Sequence, residues 1–129
     1  MAAGRLALSV RDASRVALAG VRLVNGVLGL AAPQVLSQRL DLGDAAGPMS
    51  YPFRMFGIRT ILIGADLLSH DPAVRRHALR AAVVVHASDT ASAILAGATG
   101  AIPRRSARVA TAISGVNLVL ALLASRGVR

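Results

Sequence analysis

The chain has 129 residues, 54% hydrophobic and only 16% charged, against about 25% charged in an ordinary soluble domain. It carries a formal charge of +9, with Arg as its only strong base and Asp as its only acid. The absence of cysteine excludes a disulfide framework or thiolate metal site and leaves the redox compartment unreadable, and an aromatic content of 2% offers little for stacking on nucleic-acid bases.

The first apolar stretch, residues 16–32, follows a basic segment holding Arg5, Arg11 and Arg15. A basic start, an apolar run and small residues at Ala31 and Ala32 are the parts of a signal peptide. Arg22 and Asn25 interrupt that run, which favours a retained helix. The connection over residues 33–50 carries Val35, Leu36, Leu40 and Leu42, a pattern suited to a short amphipathic helix lying in a membrane interface. Gly47 and Pro48 then turn the chain into the second stretch, residues 51–69.

This second stretch contains "FGIRTILIGAD", in which Arg59 and Asp66 stand seven residues apart in apolar surroundings. Asp71 reads as an N-cap and Pro72 as a first helical residue ahead of the third stretch, residues 81–99. That helix ends near Gly100, and Arg104, Arg105 and Arg108 mark the entry to the fourth, residues 107–125. No tandem repeat or low-complexity tract is evident.

Each stretch is close to the ~20 residues that cross a ~30 Å hydrocarbon layer as a helix. All four are apolar nearly all round, without the wide polar face of a soluble bundle helix. The expected fold is therefore all-α: a four-transmembrane-helix bundle over residues 1–129, one domain, with a short interfacial amphipathic helix between helices one and two. Eight arginines fall on one side (Arg5, Arg11, Arg15, Arg75, Arg76, Arg80, Arg126, Arg129) and four on the other (Arg39, Arg104, Arg105, Arg108). Arginine bias then predicts a multi-pass protein of the inner (plasma) membrane with both termini cytoplasmic.

Every span carries polar groups near its middle: Arg22 and Asn25, Arg59 and Asp66, His86 and Asp89, and Asn117 with Thr111 and Ser114. A charge at the bilayer centre costs about 2.5–3.5 kcal/mol on insertion scales, and such groups face the bundle interior and pair. Arg59 and Asp66 share a helix face two turns apart, as do Arg22 with Asn25 and His86 with Asp89 one turn apart. Arg22, Asn25, Arg59, Asp66, His86, Asp89 and Asn117 are thus the candidate polar cluster or pocket, with Arg59 expected to pair with Asp89. Small residues along the third span predict a central helix, packed on the second through Gly57 and Gly64. Arg54 is placed to snorkel to the interface, and Arg75, Arg76, Arg104 and Arg105 to meet lipid headgroups.

The cluster reads equally as a structural ion-pair network or as a ligand pocket. His86 is more simply an interior hydrogen-bonded histidine than a ligand. His70 and His77 lie in a loop apart from it, so neither a metal nor a haem site is implied. No phosphate loop, nucleophile elbow, Rossmann glycine pattern or CxxC is present, so no cofactor is expected.

"FRMFGIRTILIGADLL" followed by "HASDTASAILAG" resembles small bacterial four-helix membrane proteins of unknown function, close to the DoxX-like group. The resemblance covers residues 16–125. It rests on an R-x-x-G-x-R motif, here Arg54, Gly57 and Arg59, with Asp89 as the acid on the third helix, and the first-span glycines Gly26 and Gly29 also fit. It implies a four-helix fold and, through some members, an accessory role in quinone-dependent oxidation; this chain has no flavin or thiol motif of its own.

Three functional classes follow. The first is a structural or accessory membrane subunit, with the bilayer, a membrane-protein partner or a second copy as partners. The second is a membrane-embedded enzyme or binder whose Arg59, His86 and Asp89 line a pocket for a quinone, isoprenoid or lipid. The third, a soluble basic helical bundle that binds nucleic acid, is disfavoured by the apolar spans.

Overall fold

The structure, a computed structural model, describes residues 2–41 and 50–126. Among these residues all regular structure is helical: α1 (Ala2–Ala31), α2 (Pro33–Arg39), α3 (Ser50–Leu67), α4 (Pro72–Ala98) and α5 (Arg104–Ser125). The long helices α1, α3, α4 and α5 cover the four apolar stretches to within two residues at their C-terminal ends, and α2 is the short helix between the first two. Leu42 and the Gly47-Pro48 turn lie outside the described residues, as does Arg129.

Two helices run well past their apolar cores. α1 begins at Ala2 and α4 at Pro72, because the flanking sequence is rich in Ala, Leu and Arg, all strong helix formers. At 30 residues α1 is about 45 Å long, more than a bilayer's hydrocarbon requires, and its exposed first turns extend beyond the bundle. The start of α4 is fixed as the sequence predicts. Asp71 Oδ1 accepts from the Ala73 amide at 2.7 Å, with Pro72 at the first turn. Its end is released by Gly100, whose φ of +74° suits glycine far better than other residues.

The long helices are neighbours in a ring: α1 packs along α3, α3 against α4, α4 along α5, and α5 back against α1. α2 folds under the α1–α3 pair and buries Pro33, Leu36 and Ser37. Across the diagonal, α1 and α4 make no close backbone approach.

The tightest seam joins α1 to α3, and glycine makes it possible. A Cβ on Gly57 would lie 2.6 Å from the Gly26 carbonyl oxygen and 2.6 Å from the Leu30 nitrogen; one on Gly26 would lie 2.9 Å from the Gly57 oxygen. Gly64 meets Leu23 in the same seam. The expectation that Gly57 and Gly64 join α3 to α4 is therefore overturned: both face α1, and α4 takes α5 as its main neighbour, with Gly97 against Ala107.

At the end of the bundle holding the α3–α4 turn, Leu18 and Ala19 pack with Leu67, Ala78, Leu79, Ala82, Ala121 and Ala124. Apart from Pro33 and Leu36 under α2, the rest of the buried interior is small or polar, while many large aliphatics point outward, Val84 at 68% exposure and Leu95 at 64%. Three helices, over Ala3–Ala31, Pro72–Ala98 and Arg104–Ser125, are long and apolar enough to cross a membrane. α3 falls outside that group because its 18 residues hold Arg54, Arg59 and Asp66.

Candidate functional site

One helical turn inward from the apolar core, three helices contribute a polar residue. Arg22 follows Leu18 on α1, His86 follows Ala82 on α4, and Asn117 precedes Ala121 on α5. All three are buried, Arg22 at 3% exposure and His86 at 5%. Thr60 of α3, also buried, lies two turns in from Leu67. Asn25 is half-buried, one turn along α1 from Arg22.

Arg22 spans the diagonal of the ring. Its Nη1 lies 2.5 Å from His86 Nε2, so the side chain joins α1 to α4 where the two backbones stay apart. A guanidinium only donates, so Nε2 is the acceptor and the imidazole proton sits on Nδ1. That Nδ1 lies 3.8 Å from Asp89 Oδ2, an electrostatic contact longer than a direct hydrogen bond. The order across the bundle is therefore guanidinium, imidazole, carboxylate. The His86 carbonyl meanwhile accepts from Thr90 Oγ1 at 2.7 Å, which ties that hydroxyl to its own helix.

The arrangement leaves one group unmatched. Arg22 Nε is buried with no hydrogen-bond partner among the described residues. Asp89 is only half-buried, its side chain 44% exposed. The layer can hold two helices at a fixed separation, and it presents a buried donor and a partly open acceptor.

Arg59 and Asp66 do not join it. Both are exposed on the outer face of α3, and neither side chain makes an ion pair or hydrogen bond among the described residues. The expected Arg59–Asp89 pair is thus not formed; Arg22, through His86, takes that place. Gly57, Thr60, Gly64 and Leu67 occupy the buried face of α3, which sets the helix rotation and turns Arg59 and Asp66 outward. Asp66 also lies in the last turn of α3, near the end of the bundle, and not at mid-span.

Sequence reasoning missed Arg15 as well. Its Nη1 donates to the Leu67 carbonyl at 2.7 Å and closes the end of α3, while Arg75 donates to the carbonyls of Ser69 at 2.8 Å and His70 at 3.1 Å. Arg15 thus satisfies the end of α3 and Arg75 the turn that follows it, roles that spacing along one chain does not signal.

Among the described residues, grooves lie elsewhere. One, of about 580 Å³, runs between α4 and α5 beneath Arg104 and Arg108; another, about 190 Å³, is framed by Gln38, Asp41, Arg105 and Ser106. None of Arg22, His86, Asp89 or Asn117 lines either. Among the described residues no group of three or more His, Cys, Asp or Glu is placed to hold a metal ion. In comparisons with known proteins, no protein-family model, no curated protein and no solved structure matches the chain.

Proposed function

We propose that this chain is a small multi-pass integral membrane protein, with α3 as a fourth crossing helix, that serves as a structural or accessory subunit of a membrane assembly. The observation that carries the reading is the inverted distribution of side chains. Val24, Val27, Leu62, Val84, Leu95 and Val116 face outward, while the interior beyond Leu18, Pro33, Leu36, Leu67 and Leu79 is made of Ala, Gly, Ser, Thr60, Arg22, His86 and Asn117. In water that arrangement would expose an apolar surface far beyond what a monomer tolerates. In lipid it is the economical one, because small interior residues let helices pack and buried polar groups pair away from hydrocarbon.

The accessory role draws on α3. Arg59 lies near the middle of that helix and faces outward beside Phe56 and Leu62, where bare lipid is a costly neighbour. A partner helix bearing an acid at that depth would satisfy it. Arginine bias supports a cytoplasmic location for both chain ends, and a DoxX-like relationship is proposed on the Arg54, Gly57 and Arg59 motif with Asp89, Gly26 and Gly29. Nucleic-acid binding has less support, since Arg75, Arg76 and Arg80 open α4 while Arg104, Arg105 and Arg108 open α5, at opposite ends of the ring. Alkaline extraction of membranes tests the reading: the chain stays in the pellet and moves to the detergent phase. Release into the alkaline supernatant would refute it.

A second reading is favoured by the unmatched Arg22 Nε and the half-open Asp89. In it the layer binds the polar head of a quinone, isoprenoid or lipid. Lipid extracts of the purified protein and of an Asp89→Asn variant distinguish the two. A co-purifying apolar molecule lost in a fully folded variant supports binding, and identical extracts leave the structural role.

A further inference from the structure

The groove between α4 and α5 has a polar mouth and an apolar floor. Arg104 and Arg108, one turn apart on α5, stand at its rim, and Ile94, Gly97, Ala98, Ala107, Thr111 and Ala112 line it. Gly97 and Ala107 make the floor shallow: a Cβ on Gly97 would lie only 2.5 Å from that of Ala107. From Arg104 to Ala112 the groove follows α5 inward for about 12 Å at the rise of an α-helix.

Charge at the mouth is one-sided. No acid lines the groove, and neither Arg104 nor Arg108 makes an ion pair or side-chain hydrogen bond among the described residues. The position is also unfavourable for the helix itself. Cations in a first turn oppose the macrodipole, and α5 has no acid there and no side-chain N-cap to offset them. Arg104 and Arg105 stand in that turn and Arg108 opens the next, so an external anion is their natural match.

We propose that this groove binds one anionic phospholipid, its phosphate between Arg104 and Arg108 and an acyl chain laid inward over Ala98, Ala112 and Ile94. The volume suits a headgroup and the first part of a chain. The guanidinium pair recognises phosphate through charge and hydrogen-bond geometry, and the apolar floor distinguishes a lipid from free phosphate. The site rests on the membrane reading above, since it needs the mouth of the groove at the bilayer surface.

The test uses the full chain in detergent micelles. Retained lipid is measured by native mass spectrometry with phosphatidylglycerol, phosphatidylcholine and inorganic phosphate as separate probes. Phosphatidylglycerol is expected to bind one per chain in preference to the other two. The Arg104→Gln/Arg108→Gln variant is expected to weaken it about 25-fold, from the contribution of each basic residue near an anionic surface. Ala112→Phe, which fills the floor and keeps both charges, is expected to weaken it as well. Arg76→Gln/Arg80→Gln, an equal loss of charge at the opposite end, should leave it unchanged.

Equal losses from both arginine pairs, equal binding of phosphatidylcholine, or equal binding of inorganic phosphate would each overturn the proposal. A chain that neither inserts in bilayers nor partitions into detergent would overturn the membrane reading itself. A chain that inserts but lacks selectivity would overturn the lipid site alone.

Discussion

Arg22 and His86 depend on each other. A buried guanidinium is tolerable only while its neighbours accept its hydrogen bonds, and His86 Nε2 is the acceptor across the diagonal. Replacing His86 with Leu strands the cation and is expected to cost about 3 kcal/mol, with Arg22→Leu somewhat less damaging. The double Arg22→Leu/His86→Leu variant should recover most of that loss, because no uncompensated charge remains. Thermal unfolding of the four proteins in one detergent checks the cycle, and additive losses would show that the two residues act independently. Arg15 is a milder case: Arg15→Ala frees the Leu67 carbonyl and is expected to cost about 1 kcal/mol. The polar members of this layer were legible as residue types, since His86, Asp89 and Arg22 all interrupt apolar runs. Their pairing was not. Spacing within one helix says which residues share a face, but not which helix stands across the diagonal.

At the scale of elements, the rotation of α3 decides where its charges go. Close backbone approach at Gly57 and the packing of Leu23 on Gly64 turn one face toward α1, and Arg59 and Asp66 follow to the outside. The sequence rule that membrane charges face inward is an average over helices free to rotate, and here the glycine seam fixes the angle. Gly57 and Gly64 were read as packing residues but assigned to the wrong neighbour, and Gly26 and Gly29 entered only through the DoxX-like resemblance. Gly57→Val should separate α1 from α3, since its side chain would meet backbone atoms that cannot move alone; the expected loss is about 3 kcal/mol. Gly20→Ala, where an added Cβ meets nothing within 4 Å, serves as the control and should be neutral or slightly stabilising. Arg59→Leu is expected to leave unfolding unchanged and to abolish capture of a membrane partner in a detergent pull-down. Loss of folding instead would mean that Arg59 supports the bundle itself.

For the whole molecule, helix number and order follow from hydropathy, and the ends of α4 from Asp71, Pro72 and Gly100. The extra length of α1 and α4 was hidden because hydropathy marks the apolar part of a helix and is silent where a charged helix continues into water. The alternating course of the chain places Arg5, Arg11, Arg15, Arg75, Arg76, Arg80 and Arg126 at one end of the bundle, with Arg39, Arg104, Arg105 and Arg108 at the other. An inserted bundle of this course exposes successive turns on opposite faces of the bilayer, and only α3, with three charges, leaves the crossing number open to challenge. The chain contains no cysteine, so single-cysteine variants report one position each. In intact cells, the account predicts that an impermeant maleimide labels Asp41→Cys and Ala101→Cys but reaches His70→Cys only after the membrane is opened. Labelling of Asp41→Cys and His70→Cys from the same side would show that α3 does not cross, and would contradict the four-helix membrane bundle.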